Sequence, residues 1–266
     1  MWMACILDCL QRYYRRIWMS VESWWMQMKI INVGSRVMNT WLYAVSDGWV
    51  MVDTGYPESM ARVIHRMKRA GISPEEVKVI FLTHAHDDHA GFLNAWLTRY
   101  PHVKVVASEK SLAVLLRGQN SFDGGCSSIL AWVFCQVMKL AGKGAHRFPT
   151  LEWQFLERFV LAEKQHMSEA EALVSGRILA TPGHTADSLS LMVDDLVFCG
   201  DAAMNGLPSL RRVTIWIENM EDFAHSWETL IASGAAALYP GHGRPFKMAD
   251  LARFQSALRK IRLYCL

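Results

Sequence analysis

Two spacings of hydrophobic residues alternate along this 266-residue chain. Short β-branched runs bounded by turn residues predict strands, and apolar residues three or four positions apart predict helices. In the first half, the predicted strands are Ile30–Val33, Trp41–Val45, Trp49–Val52, Val77–Leu82 and Val103–Ala107. Helices are predicted between them, one between Pro57 and Gly71 and one from Asp88 to Tyr100. Strand and helix therefore alternate in this half.

The same alternation returns in the last third of the chain. The predicted strands there are Arg177–Ala180, Ser188–Val193, Leu196–Cys199 and Ala236–Tyr239. Helices are predicted near Glu221–Ser233 and Met248–Leu263. Two groups of strands, each alternating with helices, predict two packed sheets with helices outside them.

Residues 108–170 separate the two groups and carry helical patterns broken by glycines. We interpret this stretch as a helical insertion that acts as a lid, because long insertions between strands commonly cover a functional site. Extension of the core is the alternative. Five apolar residues are candidates for lining the lid: Trp132, Phe134, Met138, Trp153 and Phe155.

Residues 1–27 form an N-terminal extension in this interpretation, and residues 28–266 form one domain. The extension has a weak amphipathic pattern with arginines between its apolar positions, and Asp8 interrupts its first apolar run. The arginines follow the apolar residues, so we predict no signal peptide. We do not expect the extension to contact a membrane, because such segments more often dock on their own domain or extend from it.

Composition and charge narrow the choice of partner and compartment. Residues 1–36 hold five basic and two acidic residues of the 28 and 25 in the chain, which leaves 23 of each elsewhere. A main body without net charge predicts no nucleic-acid partner. The six cysteines form no CxxC pair and no framework spacing, so we expect reduced thiols and a cytoplasmic location.

One stretch concentrates metal-binding side chains: Thr83-His84-Ala85-His86-Asp87-Asp88-His89-Ala90-Gly91. A protein core would not bury so many histidines and carboxylates without a metal. Further candidates, each accompanied by glycine, follow three later predicted strands: His184, Asp201 and His242. Loops at strand ends can bring such residues together at one edge of a sheet. Imidazole and carboxylate ligands without thiolate suit Zn²⁺, although Fe or Mn binds the same ligands.

These motifs resemble those of the metallo-β-lactamase superfamily, whose hallmark is Thr-His-x-His-x-Asp-His, here Thr83 to His89. The superfamily's other motifs follow in the same order, as Val52-Asp53-Thr54-Gly55, Thr181-Pro182-Gly183-His184-Thr185, Cys199-Gly200-Asp201-Ala202 and Pro240-Gly241-His242-Gly243. The resemblance covers about residues 28–246. It implies an α+β fold, a four-layer αββα sandwich, with two metals at the edge of the sheets.

The resemblance also implies a role for each residue of the site. The first metal, expected to be Zn²⁺, would bind His84, His86 and His184. The second, also Zn²⁺, would bind Asp88, His89 and His242. Asp201 would bridge the two metals, and Asp88 would also pass a proton to the leaving group. Asp53 would orient a ligand histidine, with a turn-capping role as the alternative.

The function implied is that of a dinuclear zinc hydrolase in which a hydroxide between the metals attacks a carbonyl carbon. We expect a small-molecule ester, lactone or thioester with an apolar part as substrate. The alternatives are a phosphodiester hydrolase, a mononuclear iron persulfide dioxygenase, a β-lactamase and a non-catalytic binding domain. Asp201 argues against the β-lactamase, because the superfamily's true β-lactamases carry a different residue there. The sequence does not predict the substrate itself or the oligomeric state.

Overall fold

The computed structural model describes residues 29–121 and 123–266. The pattern predicted within residues 1–27 lies outside these ranges. The strands are β1 (Ile30–Asn32), β2 (Trp41–Val45), β3 (Gly48–Val52), β4 (Val77–Phe81), β5 (Lys104–Ala107), β6 (Gly125–Cys126), β7 (Phe159–Leu161), β8 (Arg177–Ala180), β9 (Leu189–Val193), β10 (Leu196–Gly200), β11 (Trp216–Ile217), β12 (Ala237–Pro240) and β13 (Phe246–Lys247).

The α-helices are α1 (Met60–Arg69), α2 (Leu93–Arg99), α3 (Glu109–Arg117), α4 (Ile129–Met138), α5 (Met167–Leu173), α6 (Met220–Ala232) and α7 (Met248–Phe254). Side-chain caps begin several of them. Ser128 accepts a hydrogen bond from the backbone N–H of Ala131 at the start of α4, and Asn219 accepts from that of Glu221 at the start of α6. In the described ranges, no helix is both long and apolar enough to cross a lipid bilayer.

The first sheet contains six strands in the order β1-β2-β3-β4-β5-β7. Strands β2 and β3 form the predicted hairpin, in which Val45 pairs with Gly48 around a two-residue turn. Strands β3, β4, β5 and β7 are parallel to one another. Their carboxyl ends therefore lie at the same edge of the sheet.

The second sheet contains five strands in the order β13-β12-β10-β9-β8. Strands β8, β9 and β10 form an antiparallel meander, and β12 lies parallel to β10. Strands β8, β10 and β12 consequently run in the same direction and also end at one edge. A hydrogen bond of 2.7 Å from the N–H of Leu189 to the carbonyl of Thr83 joins this edge to the end of β4 in the first sheet.

The two sheets pack face to face, and the helices cover their outer faces. Between the sheets, the ring of Tyr43 stacks on Phe198 with centroids 5.3 Å apart, and the indole of Trp41 donates to the carbonyl of Pro240. On the outside, α1 buries Val63 and Met67 against the first sheet. Helix α6 buries Trp227 against the second sheet. The predicted α+β sandwich of four layers is the fold observed.

Helix α2 begins five residues later than predicted, at Leu93 instead of Asp88. The carbonyl of His89 accepts hydrogen bonds from the backbone N–H groups of Thr54 and Gly55, at 2.7 and 3.3 Å. These bonds hold residues 84–92 as a separate turn next to β3. The side chains of the motif can therefore point in several directions instead of along one helix face.

Residues 108–170 contain helices α3 and α4 and part of α5, as their pattern predicts, and also short strands that were not predicted. Strand β7 extends the first sheet beside β5, and β6 pairs with β11 in a small two-stranded sheet. Phe155 is buried in the core under the first sheet, so it does not line a lid. Short strands such as β7 gain their stability from pairing with a neighbour, and the sequence of three residues alone does not reveal that neighbour.

Candidate metal centre

Four loops bring all seven predicted ligands to the common edge of the sheets. The loops follow β4, β8, β10 and β12. They carry, respectively, the cluster from His84 to His89, then His184, Asp201 and His242. Three groups with ligand atoms within 4.8 Å of one another result: His84, His86 and His184; His84, His89 and Asp201; and Asp88, His89 and His242.

The first half of the centre consists of three imidazoles. The Nε2 atom of His184 lies 3.2 Å from Nε2 of His84 and 3.2 Å from Nδ1 of His86. The Nδ1–H of His184 donates to the carbonyl of Trp216 at 2.7 Å, which leaves the lone pair of Nε2 directed at the other two rings. Burial lowers the pKa of all three histidines, and neighbouring imidazoles lower those of His84 and His86 further. The three rings are therefore neutral at neutral pH, the form that binds a metal.

The second half combines a carboxylate with two imidazoles. The Oδ2 atom of Asp88 lies 3.1 Å from Nε2 of His242, and its Oδ1 lies 3.9 Å from Nε2 of His89. Burial lowers the pKa of His89, but the carboxylates of Asp53, Asp88 and Asp201 outweigh burial and raise it to about 9. Burial likewise opposes Asp201 and Asp88 at His242, where the pKa rises to about 10. Without a metal, these two imidazoles hold protons at neutral pH.

Asp201 lies between the two halves. Its Oδ1 is 3.6 Å from Nε2 of His89, and its Oδ2 is 3.7 Å from Nε2 of His184 and 3.5 Å from Nε2 of His242. One carboxylate thus faces ligands of both halves. This is the position that a bridging ligand requires.

Some of the donor atoms lack hydrogen-bond partners, and the spacing of the donors suits bound metal ions. The buried Nε2 of His89 and Oδ1 of Asp201, which lie 3.6 Å apart, have no hydrogen-bond partner. Such atoms are costly to bury unless something else binds them. Tetrahedral Zn²⁺ with Zn–N bonds of about 2.0–2.1 Å separates its nitrogen ligands by about 3.3 Å, close to the spacing in the first half.

Asp53 holds the ring of His89 in place. Its Oδ2 lies 2.8 Å from Nδ1 of His89 and accepts a hydrogen bond of 2.8 Å from the hydroxyl of Thr83. Its Oδ1 accepts from the backbone N–H of Thr83. These contacts give Asp53 the orienting geometry that the resemblance implied, and its left-handed backbone, with φ of 58°, also makes the turn after β3.

Glycine is required where the backbone passes the ligands. A Cβ atom on Gly241 would lie 2.5 Å from Cε1 of His89 and 2.7 Å from Oδ1 of Asp201. Gly200 has a left-handed φ of 49°, and a Cβ there would lie 2.5 Å from the hydroxyl of Thr83. The glycines of the motifs therefore allow the loops to approach one another.

Several contributors were not predicted from the sequence. The carbonyls of Trp216 and Val37 accept from Nδ1 of His184 and His242, respectively. The buried carboxylate of Asp187 accepts hydrogen bonds from the N–H of Ala85 at 2.9 Å and from the hydroxyl of Ser111 at 2.6 Å. Carbonyl acceptors leave no signal in the sequence, because every residue has one.

The stretch 118–147 also contacts the metal-binding motif directly. The amide of Asn120 accepts from the backbone N–H of Asp87 at 2.9 Å and donates to Oδ1 of Asp87 at 2.8 Å. Nδ1 of His146 lies 3.2 Å from the same oxygen. Asp87 is a variable position of the motif, so its function in joining the two regions was not predictable from the motif.

Tyr56 is a further residue near the metal centre that was not predicted from the sequence. The charge of Asp88 and burial of the ring, followed by the charges of Asp87 and Asp201, raise the pKa of its phenol. The phenol therefore keeps its proton at neutral pH, under the influence of the carboxylates of the centre. Tyr56 directly follows the Val52-Asp53-Thr54-Gly55 motif, a position that could have drawn attention to it.

A profile of the Metallo-beta-lactamase superfamily matches residues 34–242. The chain belongs to the metallo-β-lactamase superfamily, as its motifs indicated. Its members are predominantly hydrolases that use divalent metals.

The two relatives described next are distant in sequence. The Bacillus subtilis (strain 168) protein described as "Uncharacterized protein YobT" is 25% identical over 236 residues, which cover 84% of this chain and 90% of that protein. A hydroxyacylglutathione hydrolase from Enterobacter sp. (strain 638) is 25% identical over 165 residues, which cover 60% of this chain and 44% of that protein. The match thus spans less than half of that hydrolase.

Solved structures confirm the fold. An archaeal metallo-beta-lactamase superfamily protein from Sulfolobus tokodaii superposes with a TM-score of 0.59 at 18% identity, covering 86% of this chain and 85% of that one. Rm3 metallo-beta-lactamase superposes with a TM-score of 0.58 at 21% identity, covering 86% and 87%. At these identities, the similarity defines the architecture and not the substrate.

Proposed function

We propose that this protein is a dinuclear metal-dependent hydrolase that cleaves an ester, lactone or thioester at its carbonyl carbon. The observation that supports this most strongly is the position of Asp201, whose two carboxylate oxygens face histidines of both halves at 3.5–3.7 Å. A mononuclear site needs no such shared carboxylate. The arrangement therefore favours two metals held close together.

The ligands we propose are those brought together at the sheet edge. His84, His86 and His184 would hold one metal, Asp88, His89 and His242 the other, and Asp201 would contact both. We propose Zn²⁺ because of the nitrogen and oxygen donors, with Fe or Mn as alternatives. When bound, such a pair of metals polarises a carbonyl oxygen and lowers the pKa of water enough to provide a nucleophile near pH 7.

Asp88 is the residue we propose for proton transfer. Burial raises the pKa of its carboxyl, but the charges of His89 and His242 and the hydrogen bond from His242 outweigh burial and lower it. Asp88 is therefore ionised at neutral pH, and its lowered pKa means that it would readily pass on any proton it receives from the attacking water. It can then deliver that proton to the leaving group.

Tyr56 is the residue we propose for holding the substrate. Its phenol keeps its proton beside the carboxylates of Asp88, Asp87 and Asp201, so it offers a hydrogen-bond donor at the centre. A donor in this position would orient a carbonyl or leaving-group oxygen.

A similar protein and the residue at position 201 favour a carbonyl substrate over the alternatives. The hydroxyacylglutathione hydrolase among the similar proteins is by name a thioester hydrolase, which supports the acyl class. Asp201 stands where the superfamily's true β-lactamases carry another residue, so β-lactams are not favoured.

The test combines metal analysis with a panel of substrates. Purified protein should contain about two zinc ions per chain and should hydrolyse a lactone or a thioester faster than an aryl phosphodiester or a β-lactam. One iron per chain with oxygen consumption would instead identify a dioxygenase. Protein that binds no divalent metal would be a binding domain, and the proposal would then be wrong.

We also propose a cytoplasmic location. The four cysteines in the described ranges, Cys126, Cys135, Cys199 and Cys265, are free thiols, which suits a reducing compartment.

A further inference from the structure

Exposed hydrophobic residues are concentrated on four segments that are joined to the metal centre. We define the rim as residues 34–40, 124–147, 204–216 and 241–247. Most of the large hydrophobic residues exposed in the described ranges belong to it: Val37, Ile129, Leu130, Val133, Phe134, Val137, Leu140, Leu207 and Leu210. The side chains of Leu140 and Leu207 are 88% and 83% exposed. Within those ranges, the outer helices α1, α2, α6 and α7 expose none.

Hydrogen bonds connect each rim segment to a proposed metal ligand or to the motif that carries it. The carbonyl of Val37 accepts from His242, and the N–H of Asn205 donates to the carbonyl of His242 at 3.0 Å. Trp216, whose carbonyl accepts from His184, pairs with Cys126 just before α4. The exposed apolar residues therefore lie on segments that are joined to the metal centre.

Helix α4 carries the largest part of this apolar surface. Ile129, Val133 and Val137 recur every four positions and are all exposed, so they form one stripe along the helix. The opposite side anchors the helix, because Ala131 is buried and the indole of Trp132 donates to the carbonyl of Cys265 at 2.9 Å. The helix is thus held in place with an apolar face directed outward.

The rim is also basic, although the body of the protein has no net charge. Its four segments contain no aspartate or glutamate. They do contain exposed basic side chains, at Arg36, Lys139, Arg147, Arg211, Arg244 and Lys247. Large apolar residues mixed with basic ones are characteristic of surfaces that bind the interface of an anionic membrane.

We propose that the rim docks this protein onto an anionic lipid surface, so that the entrance to the metal centre faces the membrane. A second copy of the chain suits the rim less well, because both surfaces of a two-fold interface would be basic and neither would offer an acidic residue to pair with. Nucleic acid suits it less well too, since its partners present polar and basic surfaces and not a stripe of aliphatic side chains. The proposal concerns binding alone and does not depend on the reaction.

The test is co-sedimentation of the full chain with lipid vesicles. Binding to phosphatidylcholine vesicles that contain phosphatidylglycerol should exceed binding to phosphatidylcholine alone, and added salt should weaken it. Val133→Glu combined with Val137→Glu should reduce binding at least about tenfold, because it places charges in the apolar stripe. Arg244→Glu should reduce it by about fivefold or more, the effect expected for a basic charge near an anionic surface.

Matched substitutions outside the rim serve as controls. Ala61→Glu and Arg62→Glu alter exposed residues of α1 and should leave binding unchanged. Circular dichroism and metal content would show that each variant is folded. Absence of vesicle binding would overturn the proposal. Undiminished vesicle binding by the rim variants would also overturn the proposal, because another part of the chain would then bind the lipid. A third contrary result would be a dimer, seen by light scattering, that the Val133 and Val137 substitutions dissociate while no vesicle binding is detected.

Discussion

The two halves of the metal centre have the same number of unshared ligands but opposite electrostatics. The first half consists of neutral imidazoles, and burial lowers the pKa of each one. The second half contains Asp88 and lies beside Asp53 and Asp201, and these carboxylates raise the pKa values of His89 and His242 to about 9 and about 10. Without a metal, the imidazoles of the first half are neutral, whereas those of the second half are protonated and positively charged.

This difference shows how the protein can bury three carboxylates at one sheet edge. Buried carboxylates need a positive partner, and protonated His89 and His242 provide it in the metal-free protein. A metal entering the second half takes over that role and releases the protons. The first half has no such requirement, so we expect it to bind metal first and more tightly near neutral pH.

Removal of the carboxylate that the two halves share should have the largest effect on activity and metal content. Asp201→Ala should reduce hydrolysis on the order of a thousandfold, because both halves lose a ligand and the two metals lose their connection. Metal content measured on the same sample should fall as well. Asp47→Ala, at an exposed turn between β2 and β3, is the matched control. Undiminished turnover by the Asp201 variant would refute the dinuclear assignment.

Lowering the pH should have the next largest effect, because it should weaken metal binding at the second half and not at the first. His89 and His242 have raised pKa values, so both are protonated below about pH 9, and a metal must displace both protons. Apparent affinity at the second half should therefore fall by about a hundredfold for each pH unit between pH 8 and pH 6.5.

The first half should behave differently in the same titration. Its histidines have lowered pKa values and stay neutral over this range, so its affinity should change little. Metal titrations against a chelating indicator at several pH values would measure both. Equal pH dependence of the two binding steps would contradict the difference in protonation between the two halves.

Asp53 provides a narrower test of the second half. Asp53→Asn should weaken metal binding there by about 10–100-fold, since His89 loses the carboxylate that orients it. Asparagine tolerates the left-handed backbone of this position, so the turn itself should survive. Binding at the first half should remain within the error of the titration. If Asp53 only caps the turn, the variant will bind both metals normally.

The metal ligands were more predictable from the sequence than the groups that hold those ligands in place. Ligands such as His184 and His242 were identifiable because a metal demands particular side chains beside glycines at strand ends. The supporting carbonyls of Val37 and Trp216 were not, because position and not residue type creates them.

The fold shows the same division. Long strands with a clear pattern were predicted closely, and the observed bounds of β2 and β8 are those predicted. Strand β7 and the late start of α2 depend on contacts with β5 and with Thr54, which lie far away in the sequence. Local patterns cannot reveal such pairings.

Asn120 should produce the smallest of these effects, and it tests whether residues 118–147 support the metal-binding motif. Asn120→Ala removes the two hydrogen bonds to Asp87, between His86 of the first half and Asp88 of the second. The loss should destabilise the protein by about 1–2 kcal/mol and weaken metal binding several-fold.

A second asparagine in the chain makes an equivalent pair and provides the control. The amide of Asn94 donates to the carboxylate of Glu152 and accepts from its backbone N–H, both at 3.0 Å, on the exposed side of α2. Asn94→Ala should therefore lower the thermal midpoint slightly without changing metal affinity. If the two variants change metal affinity equally, the bond to Asp87 only tethers residues 118–147. A loss of affinity in the Asn120 variant alone would show that this segment positions the ligands on both sides of Asp87.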